Sequence, residues 1–281
     1  MRAAFMAGAF CALAAAASRD YKFEAREPVH HTFAKNTTLD IDLVSGSINV
    51  IGDGGDNIRV DGEKVMRAAT QEELERAKKE VVLDANEKAG TAQLYANGPF
   101  RNNSHASENH GFHEHDDRRY DVAFNLTAHV PRAMALRLRN VNGEVKTEGT
   151  AGAFDVSAVN GPITMTSIAG SGIVSTVNGP LIASFRENPK ADSHFKTLNG
   201  KLDVSFQPGL NANMAFKTLN GQAYTDFESV ALASAPGTAE LRNGKRVFRT
   251  NDFRNVQVGA GGPELKFETL NGDIRVARQA R

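Results

Sequence analysis

The sequence predicts an all-β protein: a right-handed parallel β-solenoid of repeated short strands, with one short helix in an N-terminal capping region. Three observations predict it. An Asn-Gly dipeptide recurs through the C-terminal half, with apolar residues at fixed offsets around it. The stretches flanking each copy alternate apolar and polar, the period of a half-buried strand. Gly 25 beside Trp 0 and Tyr 4 implies many turns and few aromatic platforms.

A fixed period in the sequence decides the architecture. Asn-Gly stands at Asn142, Asn160, Asn178, Asn199, Asn220 and Asn271, at spacings of 18, 18, 21, 21 and 51. The residue before each Asn is Val141, Val159, Val177, Leu198, Leu219 or Leu270. Four residues before it stand Leu138, Val156, Val174, Phe195, Phe216 and Phe267. Three after it stand Val145, Ile163, Leu181, Leu202, Ala223 and Ile274. Thr176, Thr197, Thr218 and Thr269 share the offset two before Asn. Ser45-Gly46 matches as a diverged copy, with Ile41, Val44 and Ile48 at the same offsets. Each unit is therefore strand, turn, strand, and must stack on its neighbours to bury its apolar face.

Asn-Gly allows two geometries, since Gly tolerates positive φ at low cost. As a tight hairpin it would give an antiparallel meander or sandwich. As a corner it would give a parallel solenoid with the Asn side chains stacked in a ladder. The common period favours the solenoid, because stacked coils demand the same residue types at the same offsets and a meander does not.

The remaining elements follow in order. Residues 1–17 combine Arg2, an apolar run and small residues, the layout of a secretory signal peptide. Cys11 is preceded by Phe10, which does not fit a lipid-attachment site. Residues 18–131 form the capping region. In it Ile58–Val65 alternates as a strand. Thr70 and Glu73 form a T-x-x-E capping box, and Leu74, Ala77 and Val81 at helical spacing predict a helix over about 70–80. Val81–Asp84, Thr91–Ala96 and Tyr120–Val130 read as strands, separated by a polar His-rich loop at 97–118. Residues 132–281 carry the repeats.

Composition excludes several functions. Lys+Arg 33 against Asp+Glu 33 gives no basic excess, which argues against nucleic acid. A single Cys excludes a disulfide framework. No second long apolar run follows the leader, so the mature chain is not expected to span a membrane by a helix.

The ending Gly261-Gly-Pro-Glu-Leu-Lys-Phe-Glu-Thr-Leu-Asn-Gly-Asp-Ile-Arg-Val276 resembles the closing motif of a bacterial family of exported β-strand-repeat proteins labelled "putative adhesin". The Val-Asn-Gly repeats, the single early helix and the Val130-Pro131 entry resemble it too, over about residues 35–277. The resemblance implies a β-solenoid and an envelope location, periplasmic or cell-surface. It implies no catalytic residue.

Candidate chemistry is sparse. His105, His110, His113 and His115, with neighbouring Glu and Asp, are the candidate metal ligands, since imidazole and carboxylate suit zinc, nickel or copper. Asp155, Asp203, Asp226 and Asp273 lie at different offsets from their Asn, so they form no paired-carboxylate site. Gly259–Gly262 lacks the Lys-Ser/Thr of a phosphate loop and reads as a turn. No cofactor is implied. The expected function is non-enzymatic: an exported scaffold or interaction module for an envelope protein or glycan. An envelope-stress signalling component and a polysaccharide-acting enzyme are the alternatives.

Overall fold

The structure is a computed structural model that describes residues 21–34, 37–101, 119–232, 238–242, 245–249 and 253–279. Before the repeats come β1 (Phe23–Phe33), β2 (Thr38–Asp53), β3 (Ile58–Ala68), α1 (Gln71–Glu80), β4 (Val82–Lys88), β5 (Thr91–Asn97) and β6 (Tyr120–Pro131). Each repeat adds one strand on either side of its Asn-Gly. These are β7 (Ala135–Asn142) and β8 (Val145–Glu148), β9 (Phe154–Asn160) and β10 (Ile163–Ile168), and β11 (Gly172–Asn178) and β12 (Leu181–Phe185). Then come β13 (Ser193–Asn199) and β14 (Leu202–Phe206), followed by β15 (Ala212–Asn220) and β16 (Ala223–Thr225). An excursion follows through β17 (Ser229–Ala231), β18 (Thr238–Arg242), β19 (Lys245–Arg249) and β20 (Arg254–Val258). The last unit is β21 (Glu264–Asn271) and β22 (Ile274–Arg278).

Among the described residues the protein is nearly all β, with one helix and a large, mostly parallel sheet. Strands that follow Asn-Gly lie side by side in the order β8-β10-β12-β14-β22-β16, all parallel. Strands that precede it lie in the order β7-β9-β11-β13-β21-β15, also parallel. The long β2 runs through both layers, its first half beside β7 and its second beside β8, and joins them into one 20-stranded sheet. β2 is thus the diverged copy, with Ile41 opposite Leu138, Ser45 opposite Asn142 and Ile48 opposite Val145. On the far side of β2, the β8 layer continues through β6, β3 and β1, and the β7 layer through β5 and β4.

The hairpin alternative is overturned. β9 pairs with β7 and β11, and β10 pairs with β8 and β12, so no ladder crosses Asn160-Gly161. The chain turns a corner there and passes from one layer to the other.

The expected reason for Gly at the corner was its tolerance of positive φ. Gly143, Gly179 and Gly272 do adopt positive φ. The constraint common to all six corners is space. A Cβ on Gly143, Gly161, Gly179, Gly200, Gly272 or Gly221 would lie 1.8–2.4 Å from the glycine carbonyl oxygen of the adjacent rung. No other residue fits so close an approach.

Units do not stack strictly in chain order. The closing unit inserts between its two predecessors: β21 pairs with β13 on one edge and β15 on the other, and β22 lies between β14 and β16. The 51-residue step in the repeat contains the excursion that returns the chain to this gap. β20 runs antiparallel to β15 on its outer edge, and β17 continues the layer beyond β20.

In-register pairing turns sequence offsets into columns. Phe195, Phe267 and Phe216 stack with centroids 5.4 and 5.3 Å apart. Phe185 and Phe206 stack at 4.8 Å in the facing layer. The two columns meet edge to face, Phe185 on Phe195 at 5.9 Å and Phe206 on Phe267 at 6.3 Å. This geometry suits the ring quadrupole and fixes the layers against one another.

The helix is anchored by its caps. Thr70 accepts a hydrogen bond from the Glu73 N–H at 3.2 Å, and Leu74 and Ala77 are buried. At the other end the buried Lys64 ammonium donates to the Lys78 carbonyl at 3.0 Å, with Glu27 3.8 Å away. Burial holds the Lys64 pKa below its usual value, and Glu27 opposes the shift. A cation at a helix C-terminus meets the negative end of the dipole.

The Phe column supports a direct test. Phe267→Ala removes a fully buried ring from the middle of the stack and should cost about 3–5 kcal/mol in equilibrium unfolding. Lys196→Ala, on the exposed face of the neighbouring strand, should cost less than about 1 kcal/mol. Equal effects from the two substitutions would overturn this assignment of faces.

Candidate functional site

Along the corner, parity makes the residue before each Asn point outward, since the positions four and two before it point in. Apolar side chains nevertheless occupy that position in every unit. Val141, Val159, Val177, Leu198 and Leu270 are 37–39% exposed, and Leu219 is 72% exposed. In-register pairing places them in the spatial order Val141, Val159, Val177, Leu198, Leu270, Leu219. At roughly 4.8 Å per rung, the stripe is about 24 Å long.

Beside it runs the Asn ladder. Asn160 donates to Asn142, Asn178 to Asn160 and Asn199 to Asn178, each at 2.9 Å. Asn271 donates to Asn199 at 2.6 Å and Asn220 to Asn271 at 2.7 Å. Each inner amide uses one N–H and its carbonyl along the stack. Beneath it, Thr176, Thr197, Thr269 and Thr218 donate to the glycine carbonyls of the adjacent rungs at 3.0–3.1 Å. Asn140 does the same to Gly46 at 2.9 Å. Ala158, at the same offset in the second unit, has no side-chain donor to offer Gly143. The stripe and the ladder are thus rigid, held by both backbone and side chains.

The other candidates do not converge into a reaction centre. Asp203 lies 3.2 Å from Lys201 and 3.6 Å from Arg275. Asp226 accepts from the Arg278 N–H at 2.6 Å, and Asp273 from the Gln222 N–H at 2.9 Å. These acids hold backbone and cations. His105, His110, His113 and His115 lie outside the described residues, as does the segment 1–17. Among the described residues, no group of three or more His, Cys, Asp or Glu is placed to hold a metal. No helix among them is long and apolar enough to cross a membrane.

No protein-family model matches the sequence, and no curated protein does. Similar solved structures exist. One is a putative cell adhesion protein from Clostridium sporogenes, with TM-score 0.41 and 11% identity over 90% of this chain and 100% of that one. Another is a putative adhesin from Bacteroides fragilis, with TM-score 0.37 and 8% identity over 90% and 97% of the two chains. A putative lipid binding protein from Parabacteroides distasonis has TM-score 0.27 and 9% identity over 91% and 97%. Likeness this distant does not bear on function, which rests on the chain's own geometry.

Sequence reasoning missed the stripe. The signal was present: apolar residues stand at all six copies of a position whose parity turns it away from the core.

Two tests concern this face. Ala158→Thr should complete the Thr column and raise stability by about 0.5–1.5 kcal/mol, measured as a shift in the denaturation midpoint. No gain would mean that the Gly143 carbonyl needs no donor. The second test uses His194, half-buried on β13, 3.6 Å from Glu268. Burial lowers its pKa, and Lys196 and Lys266 lower it further against the pull of Glu268. With the folded pKa below the unfolded one, the unfolded chain binds the proton more readily, so stability falls as pH drops through the ordinary His range and below. His194→Gln should flatten the stability profile there, and an unchanged slope would show that other groups carry it.

Proposed function

We propose that the protein is a non-enzymatic interaction module of the cell envelope, adhesin-like in role, which presents a repetitive β surface to a protein or glycan partner. The single observation that carries this is the stripe of six apolar side chains beside the Asn ladder. An exposed, contiguous apolar line rimmed by polar groups marks an interaction site more often than an accident of folding. Its rigidity lowers the entropy lost on binding. The stacked units are read as coils of a right-handed parallel β-solenoid, and residues 18–131 as the cap of its N-terminal end. The leader-like segment 1–17 supports export, and the resemblance of the closing motif to an exported repeat family agrees with it. Export is tested by fusing residues 1–20 to a reporter active only outside the cytoplasm; a silent reporter argues against it.

The stripe is tested by the triple variant V159S/V177S/L198S. These positions face outward and are partly exposed, so the variant should still fold cooperatively, with a midpoint below that of the parent. Beads coated with the parent should retain envelope fragments from the source cells, and beads coated with the variant should lose most of that retention. Equal retention by both would remove the stripe from the proposal.

A further inference from the structure

At the end of the stack remote from β2, the two layers stop at different places. Among the described residues, the layer containing β15 continues through β20 and β17, while the facing layer ends at the three-residue β16. Pairing with β15 sets Arg254 opposite Phe216 and Val256 opposite Met214, so both face inward toward a strand position that the other layer does not fill. A cleft of about 610 Å³ occupies that space, with Phe216, Leu219, Ala223, Thr225, Arg254 and Val256 among its walls.

β16 itself is half-used. The Ile274 N–H donates to the Gln222 carbonyl. By the alternation of a parallel ladder, the N–H and C=O of Ala223 and Thr225 then point the other way, along the free edge. Among the described residues, β16 pairs with β22 alone. Side chains show the same incompleteness. Val145, Ile163, Leu181, Leu202 and Ile274 are fully buried, yet Ala223 at the same offset is exposed. Arg254 adds a charge: it is exposed in the cleft and has no carboxylate partner among the described residues.

We propose that this edge binds an extended peptide segment of a partner protein by β-augmentation, with alternating apolar side chains turned into the cleft and an acidic side chain meeting Arg254. Backbone pairing supplies affinity in this mode, and the pockets for alternate side chains supply selection. The site shares only Leu219 with the stripe and does not depend on it.

The test uses the full mature chain and a short peptide of alternating Val and Thr carrying one Glu, acetylated, amidated and fluorescently labelled. Binding is read by anisotropy. The parent should bind the Glu peptide and discriminate against a Lys version by about tenfold or more. Ala223→Pro removes an N–H that the fold does not use, on an edge where Pro is tolerated, and should abolish binding without moving the unfolding midpoint. Arg254→Glu should reverse the preference between the Glu and Lys peptides, a readout that holds even where the Pro variant misfolds. V159S/V177S/L198S should bind the peptide as the parent does, whatever becomes of the stripe. Absence of binding to either peptide, or binding indifferent to both Ala223→Pro and Arg254→Glu, would overturn the proposal; Arg254 would then be a guard charge that keeps the edge from pairing. A dimer of the chain that Ala223→Pro dissolves would also overturn it, in favour of a second copy as occupant.

Discussion

At every Asn-Gly corner, one glycine rests so close to the glycine carbonyl of the next rung that a methyl group could not come between them. That clearance lets corner glycine N–H groups reach the Asn carbonyl of the adjacent rung at 2.9–3.0 Å, and the consequences spread outward from it. With the corners in contact, each strand meets its neighbour with the same offset opposite the same offset. The Asn amides then fall within hydrogen-bonding distance of one another, the Thr hydroxyls reach the glycine carbonyls, and the phenylalanines stack. None of these interactions is strong alone. A side-chain hydrogen bond nets about 1 kcal/mol, and a ring pair adds about 0.5–1.5 kcal/mol beyond its buried area. Their effect is to make a slipped register lose all of them at once.

The outward face inherits the same order. Columns form wherever an offset is held constant, whether or not the column is buried. The inward Phe column closes the core. The outward Val/Leu column stays partly open to solvent, and its regularity follows from rules that serve the inside. Composition at that position is therefore the free choice of the sequence, which is why an unbroken apolar run there carries functional weight. Lys196, Glu268 and Lys217, two residues nearer the N-terminus on the same outward parity, pair in register and show the charged choice made in the neighbouring column.

Much of this was legible from residues alone. Periodicity of 18 and 21 with matched offsets disclosed the stacking, because only a repeated environment demands a repeated residue. Thr70 and Glu73 disclosed the helix start, because capping is local chemistry. What stayed hidden was long-range. Nothing in Glu264–Arg278 says that it belongs between Ser193–Phe206 and Ala212–Thr225, since all three segments carry the same pattern and would stack in any order. The different lengths of the two layers were hidden for the same reason. The Asn-Gly pair itself was ambiguous, because hairpin and corner share the small, flexible residue; the decision lay in which strands came to lie beside it.

The place of the closing unit bears on how the chain comes to its native form. Chains are made from the N-terminus, and their early parts begin to order before the rest exists. Strands β13 and β15 carry equivalent residues, Phe195 and Phe216, Thr197 and Thr218, Asn199 and Asn220. Until residue 264 is available, each is the best partner the other has, and their direct pairing would satisfy the same columns. The native arrangement requires that pairing to be absent or to open, so that this later segment can enter the interior of the stack. Completing the stack is therefore an insertion between two strands rather than the addition of a further rung at an end.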